Sequence, residues 1–190
     1  KRQGQRARCP RILIVCEGSK TEPNYFNEIR VGRRLPATNI AVMPSQTGTD
    51  PLQVVEYAKH VFEHGDPHRR IEPRAFDEIH VVFDRDDHHG YQAALDQATA
   101  LNKKLRNDEK VLVPFTAVAS VPSFELWLLL HFEDIQAPKH RDEVMRRLKT
   151  HIPGYEKGSN SSFARTSSNL DLATQRATTL AERFSPLTAP

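Results

Sequence analysis

The sequence predicts an α/β fold, with a mostly parallel, Rossmann-like sheet of about four strands, helices on both faces and further helices at the C-terminal end. Short apolar runs rich in β-branched residues alternate with longer segments whose apolar residues recur at helical spacing. The first unit, residues 11–22, runs RILIVC and then stops at an acid, a glycine and a helix start. This pattern is typical of a buried strand, a tight turn and a helix N-terminus.

The other elements follow from the same two periodicities. Three more strands are predicted at residues 38–43, 76–83 and 111–119. Helices are predicted at residues 21–32, 51–64, 91–106, 122–132, 139–150 and 169–184. Because Pro114 has no N–H to donate, we expect the paired part of the fourth strand to begin at Phe115.

Composition divides the chain into three parts. Residues 1–10 form a basic N-terminal tail, residues 11–135 the α/β core, and residues 136–190 a C-terminal helical extension. Residues 151–168 are rich in Gly, Ser and Asn and are predicted to be a flexible loop.

Bulk properties are those of a globular protein. The 190 residues are 38% hydrophobic and 27% charged, with a net charge of +3, which permits contact with nucleic acid without demanding it. No apolar run approaches the roughly 20 residues of a membrane helix, so we expect no membrane association. Cys9 and Cys16 match neither a CxxC pair nor a disulfide framework, which indicates a reducing, cytoplasmic setting.

Acidic residues follow two of the predicted strands. Glu17 ends the first strand, and Asp84, Asp86 and Asp87 follow the third. Since parallel strands present their carboxyl ends at one edge of the sheet, we expect these acids to meet there. Carboxylate oxygens are the ligands that Mg²⁺ or Mn²⁺ prefers, and residues two apart in extended backbone, such as Asp84 and Asp86, point the same way. The sequence therefore predicts a divalent metal site, with Glu17 as a further ligand or general base.

Simpler interpretations exist for each acid. Aspartates are common in turns after strands, because their side chains bond nearby backbone and cap helices. Glu125 lies in the apolar window SFELWLL, where it is a buried carboxylate, a residue on a solvent-facing stripe or a cap of the helix. His88 and His89 are metal ligands or solvated turn residues, and His131 is interpreted as lying at the edge of the core.

Three motifs in this order resemble the RloB family, which is associated with bacterial anti-phage defence and is related to the TOPRIM fold. They are CEGSKTEPNYF from residue 16, VFDRDDH from residue 82 and SFELWLLLHF from residue 123. The resemblance implies a TOPRIM-like core and Mg²⁺-dependent cleavage of a nucleic-acid phosphodiester. Glu17 would be the general acid/base or a metal ligand, Asp84 and Asp86 would be metal ligands, and Glu125 would join the same acidic site. The family often has Asn and Cys where this chain has Val121 and Ser123, which weakens any role for those two side chains.

Partners are less specified by the sequence. Lys20, Lys157 and Arg165 are candidate phosphate contacts, but no signature distinguishes RNA, such as tRNA, from DNA. The basic helix over residues 139–150 is an alternative electrostatic track, interpreted here as a solvated face. Related defence loci pair such proteins with an ABC-type ATPase, which implies a partner of that kind, and a homo-oligomer is a further option.

Parts of the sequence are compatible with three other functions. GSKT at residues 18–21 resembles the end of a Walker A loop, but Ile14 stands in place of the upstream glycine, which argues against ATP hydrolysis. FDRD at residues 83–86 resembles the motif of HAD-type phosphatases, but it follows the third strand instead of the first. The alternative that stays open is a non-catalytic TOPRIM-like module that binds nucleic acid or a partner ATPase.

Overall fold

The computed structural model describes residues 9–85 and 90–184. It contains one four-stranded parallel sheet in the order β2-β1-β3-β4. The strands are β1 (Ile12–Cys16), β2 (Ile40–Pro44), β3 (Glu78–Asp84) and β4 (Phe115–Ser120). The helices are α1 (Thr21–Gly32), α2 (Pro51–His64), α3 (Tyr91–Leu101), α4 (Phe124–Leu130), α5 (Arg141–His151), α6 (Ser162–Thr166) and α7 (Leu170–Arg183). The predicted α/β class, with a parallel sheet and additional C-terminal helices, is confirmed.

The strand order places helices on both faces of the sheet. The connection from β1 to β2 runs in one direction across the sheet, whereas those from β2 to β3 and from β3 to β4 run in the other. Right-handed crossovers therefore put α1 on one face and α2 with α3 on the opposite face. No helix in the described ranges is long and apolar enough to cross a membrane.

Two hydrophobic cores stabilise the molecule. The first lies between the sheet and helices α2 and α3, and it includes the fully buried Leu13, Val15 and Ile79. The second contains no strand residue: α1 and α4 contribute Tyr25 and Leu128, and the C-terminal helices contribute Leu148 and other apolar residues. The C-terminal segment therefore shares a core with the helix that follows β1.

The segment at 151–168 differs from the predicted flexible loop. It contains α6, and Tyr155, Phe163 and Thr166 are buried within it. Its Gly- and Ser-rich composition suggested a loop, but Tyr155 and Phe163 join the second core and fix the segment in place. Glu28 reinforces this because its carboxylate accepts hydrogen bonds from the N–H groups of Ser161 and Phe163.

Several predicted helix boundaries also shift, including those of α3 and α4. Helix α3 ends at Leu101 instead of residue 106, because Asn102 leaves helical geometry and its side-chain oxygen accepts the N–H of Phe115 at 3.2 Å. Helix α4 begins at Phe124, two residues later than predicted. Its preceding residue, Ser123, is extended and fully buried.

Candidate active site

The ends of β1 and β3 bring Glu17 and Asp84 together. The two strands are adjacent and parallel, with Cys16 opposite Val82. The N–H of Glu17 donates to the carbonyl of Val82 at 2.8 Å, and the N–H of Asp84 donates to Glu17 Oε2 at 2.9 Å. The Glu17 side chain therefore binds the neighbouring strand end, so it helps to hold the site as well as to line it.

A cavity of about 300 Å³ opens at these strand ends. Four carboxylates from three separate segments line it, namely Glu17, Glu22, Asp84 and Glu125. Like charges this close together raise one another's pKa unless a cation compensates. The cavity is therefore a place where positive charge is stabilised.

Glu125 is the most deeply buried of the four acids, at 2% exposure. The Ser123 hydroxyl donates to Glu125 Oε2 at 2.7 Å, and the Tyr155 hydroxyl donates to Oε1 at 3.4 Å. Lys157 Nζ lies 3.7 Å from the same Oε1. Among the interpretations of Glu125, burial is the one that the structure shows, and Ser123 orients this carboxylate directly.

Asp84 links the acidic cluster to helix α4. Its Oδ1 accepts the N–H of Phe124 at 3.0 Å, at the first turn of that helix. Burial raises the pKa of Asp84 to about 7, and repulsion from Glu22, Glu125 and Glu17 adds to the effect. Without a metal ion, this carboxyl therefore holds a proton to a much higher pH than an exposed aspartate does.

Glu22 is the acid that sequence reasoning missed. It lies in the first turn of α1 at 6% exposure, and burial raises its pKa, with further contributions from Glu125 and Glu17. An acid in the first turn of a helix is ordinarily explained by the helix dipole, so the position of Glu22 in the sequence did not indicate a place in the cavity. The neighbouring Gly18 was the available signal, because a Cβ at that position would lie 2.2 Å from Glu22 Oε2. Gly18 has no positive φ, so it leaves space for Glu22 instead of permitting a special turn.

Substitution of Gly18 by alanine tests this close approach. Gly18→Ala is expected to displace the Glu22 carboxylate and to lower the free energy of unfolding by about 1–2 kcal/mol, as overpacking does. The cost should fall by more than half in a Glu22→Ala background, because the clashing atoms are then absent. Urea unfolding of the four proteins of this cycle measures the coupling, and an equal cost in both backgrounds would contradict it.

Of the three cationic residues predicted to contact phosphate, two line the cavity and one does not. Lys20 and Lys157 line the cavity. Arg165 lies exposed on α6 and is not among the lining residues. Arg141, at the start of α5, also lines the cavity, although the sequence indicates only that it belongs to the basic helix.

Two of the predicted metal ligands, Asp86 and Asp87, lie outside the described residues, as do His88 and His89. Among residues 9–85 and 90–184, no three His, Cys, Asp or Glu side chains converge in an arrangement that could hold a metal ion. The metal site predicted from Glu17, Asp84, Asp86 and Asp87 therefore stays a prediction.

Residues 12–189 match the family of RloB-like proteins, which is nearly the whole length of the chain. The chain belongs to the RloB-like family. The matched region extends from β1 through α7, so this RloB-like unit includes Tyr155 and Lys157 together with the strand-end acids. No curated protein and no solved structure matches the chain significantly.

The donor chemistry of this RloB-like cavity fits a hard divalent cation. All four of its acidic groups offer carboxylate oxygens, the ligand type that Mg²⁺ and Mn²⁺ prefer. The pKa values of Asp84 and Glu22 are raised mainly by burial, and repulsion among the acids adds to the effect, while Lys157 partly opposes it. A cation near Asp84 would remove this repulsion.

Proposed function

We propose that this RloB-like protein is a Mg²⁺- or Mn²⁺-dependent, TOPRIM-type nuclease that cleaves phosphodiester bonds of RNA, such as tRNA, or of DNA, in anti-phage defence. The observation that supports the proposal is that Glu17, Glu22, Asp84 and Glu125 line one cavity, which Lys20 and Lys157 also line. Clustered carboxylates suit a divalent cation, and adjacent lysines suit the phosphate groups of a substrate.

Several of the lining groups have a role in this proposal. Glu17 and Asp84, with Asp86 and Asp87, would hold the metal, which when bound polarises a phosphoryl oxygen and lowers the pKa of water. In this scheme Glu17 is a metal ligand or the general acid/base, whereas Asp84 gives up its proton when the metal binds. Lys20 and Lys157 bind and orient the substrate phosphate.

Glu125 is a positioning residue in this scheme. Its carboxylate accepts hydrogen bonds from Ser123 and Tyr155 and lies within ion-pair distance of Lys157. The contacts from Ser123 and Tyr155 orient the Glu125 carboxylate, which lies 3.7 Å from Lys157 Nζ at the cavity wall. The same contacts connect the C-terminal segment to the strand-end acids.

A metal-dependent cleavage assay tests the proposal. The protein is incubated with end-labelled tRNA, single-stranded DNA and duplex DNA in EDTA, Mg²⁺ or Mn²⁺. We expect cleavage of at least one substrate in Mg²⁺ or Mn²⁺ and none in EDTA. Glu17→Gln should reduce the rate by about 10²–10⁴-fold, the usual range for loss of an acid–base group.

Glutamine is chosen at position 17 because its side-chain oxygen can still accept the N–H of Asp84, which preserves the contact between β1 and β3. Glu56→Gln is the matched control, since Glu56 is exposed on α2. Equal nucleic-acid binding by all three proteins, with no cleavage by any, would refute the nuclease and favour the non-catalytic module.

The cellular setting completes the proposal. We expect the protein to act in the cytoplasm, together with an ABC-type ATPase encoded nearby, either as a single chain or as a homo-oligomer. Co-expression with the neighbouring ATPase gene and affinity purification would test the partnership. Size-exclusion chromatography with light scattering measures the oligomeric state.

A further inference from the structure

A second and larger concavity, of about 930 Å³, lies between α1 and α6. We call it the α1–α6 groove. Amide and hydroxyl side chains are frequent in its lining. Asn27 and Ser167 donate to the backbone carbonyls of Pro23 and Ala164. Within the described residues, Asn24 Oδ1, Asn160 Nδ2 and the Ser168 hydroxyl make no hydrogen bond to the protein. Side chains of this kind donate and accept hydrogen bonds without carrying a charge.

The α1–α6 groove adjoins the acidic cavity. The side-chain amide of Asn24 donates to the carbonyl of Gly158 at 3.1 Å and to Asn160 Oδ1 at 3.2 Å. Asn24 and Asn160 line the groove, whereas Gly158 lines the acidic cavity. A linear ligand whose reacting group lies in the cavity can therefore continue directly into the groove.

The charged side chains of the groove lining are one cation and one acid. Arg33 lines it and is exposed. The acid in the lining is Glu28, whose two carboxylate oxygens accept the N–H groups of Ser161 and Phe163. Glu28 is thus engaged in holding α6, and Lys20 adds positive charge at the boundary with the cavity.

From this continuity, lining and charge, we propose that the α1–α6 groove binds the single strand that flanks the scissile phosphate, so that the protein selects unpaired nucleic acid. The inference rests on the proposed nuclease function. Unpaired bases leave their hydrogen-bonding edges accessible to Asn and Ser side chains, whereas paired bases do not. The 12-residue α1 is about 18 Å long, which corresponds to about five stacked nucleotides at 3.4 Å each.

Fluorescence anisotropy in EDTA measures binding without cleavage. Labelled single strands of 2, 6 and 12 nucleotides, as RNA and as DNA, are compared with a 12-base-pair duplex. We expect a marked gain in affinity from 2 to 6 nucleotides, a smaller gain from 6 to 12, and weaker binding of the duplex. The RNA and DNA arms show which sugar the groove accepts.

Arg33→Ala should weaken binding of the 6-nucleotide strand by about three- to tenfold and should reduce its salt dependence by about one ion. Arg146→Ala is the matched control, because Arg146 is an exposed arginine on the basic helix α5. A second variant, Ser168→Glu, adds negative charge to the groove lining and should also weaken binding, whereas Thr179→Glu on the exposed side of α7 should not.

Two results would overturn the inference: tighter binding of the duplex, or full affinity in both groove variants. Loss of affinity in Arg146→Ala alone would move the binding track to α5. These outcomes are independent of the nuclease proposal, because the measurement requires no catalysis. A protein that binds single strands through the groove but never cleaves would refute only the nuclease.

Discussion

Asp84→Asn is expected to stabilise the metal-free protein and to reduce the proposed cleavage strongly. The folded-state pKa of Asp84 is about 7, against 3.8 for the unperturbed group. The folded protein therefore binds more protons than the unfolded chain between these values, and its stability falls as pH rises from about 4 to about 7. Asparagine does not titrate, so at pH 8 the variant should gain about 2 kcal/mol, a value reduced for partial solvation from the roughly 4 kcal/mol of the full shift.

Denaturant unfolding in EDTA at pH 5 and pH 8 measures this effect. The asparagine side-chain oxygen can keep the hydrogen bond from the N–H of Phe124, so the cap of α4 is retained. Asp96→Asn is the control, since Asp96 is exposed on α3 and its side chain contacts Gln92. If Asp84→Asn keeps the wild-type dependence on pH, the raised pKa of Asp84 is wrong. We expect the same variant to lose about 10²–10⁴-fold of the cleavage rate.

Tyr155→Ala is expected to lower the free energy of unfolding by about 3–5 kcal/mol, the usual cost of removing a large buried aromatic ring. Tyr155 is 2% exposed and belongs to the second core, where α1 and α4 meet the C-terminal helices. The loss should be visible as a lower urea midpoint with little change in the slope. The proposed cleavage should also decrease. Glu125 loses a hydrogen-bond donor, so its carboxylate is less well held beside Lys157.

Tyr155→Phe separates packing from hydrogen bonding. It keeps the ring and removes only the 3.4 Å hydrogen bond to Glu125, so its cost should be about 1 kcal/mol or less. If the phenylalanine variant were as unstable as the alanine variant, the hydroxyl rather than the ring would hold this segment. The residual cleavage of Tyr155→Phe then reports how much Glu125 depends on that hydroxyl.

The sheet and the meeting of Glu17 with Asp84 could be predicted from the sequence, because strand polarity alone places the ends of parallel strands at one edge. Glu22 could not, since its role depends on the close approach of Gly18, which no periodicity reports. The docking of Tyr155 on Glu125 was equally hidden. It is a long-range contact made by a segment whose composition is that of a loop, and packing outweighs composition there.

The contact between Gly158 and Thr21 has a consequence for the order of events during synthesis. The N–H of Gly158 donates to Thr21 Oγ1 across 137 positions of the chain. A ribosome that adds about 5–20 residues per second needs roughly ten seconds to make the stretch between them. Throughout that interval the end of β1 is present without the C-terminal segment, whose Lys157 and Gly158 line the cavity. A nascent chain therefore cannot carry a finished cavity, and the proposed nuclease could not act on the messenger while its own chain is still being made.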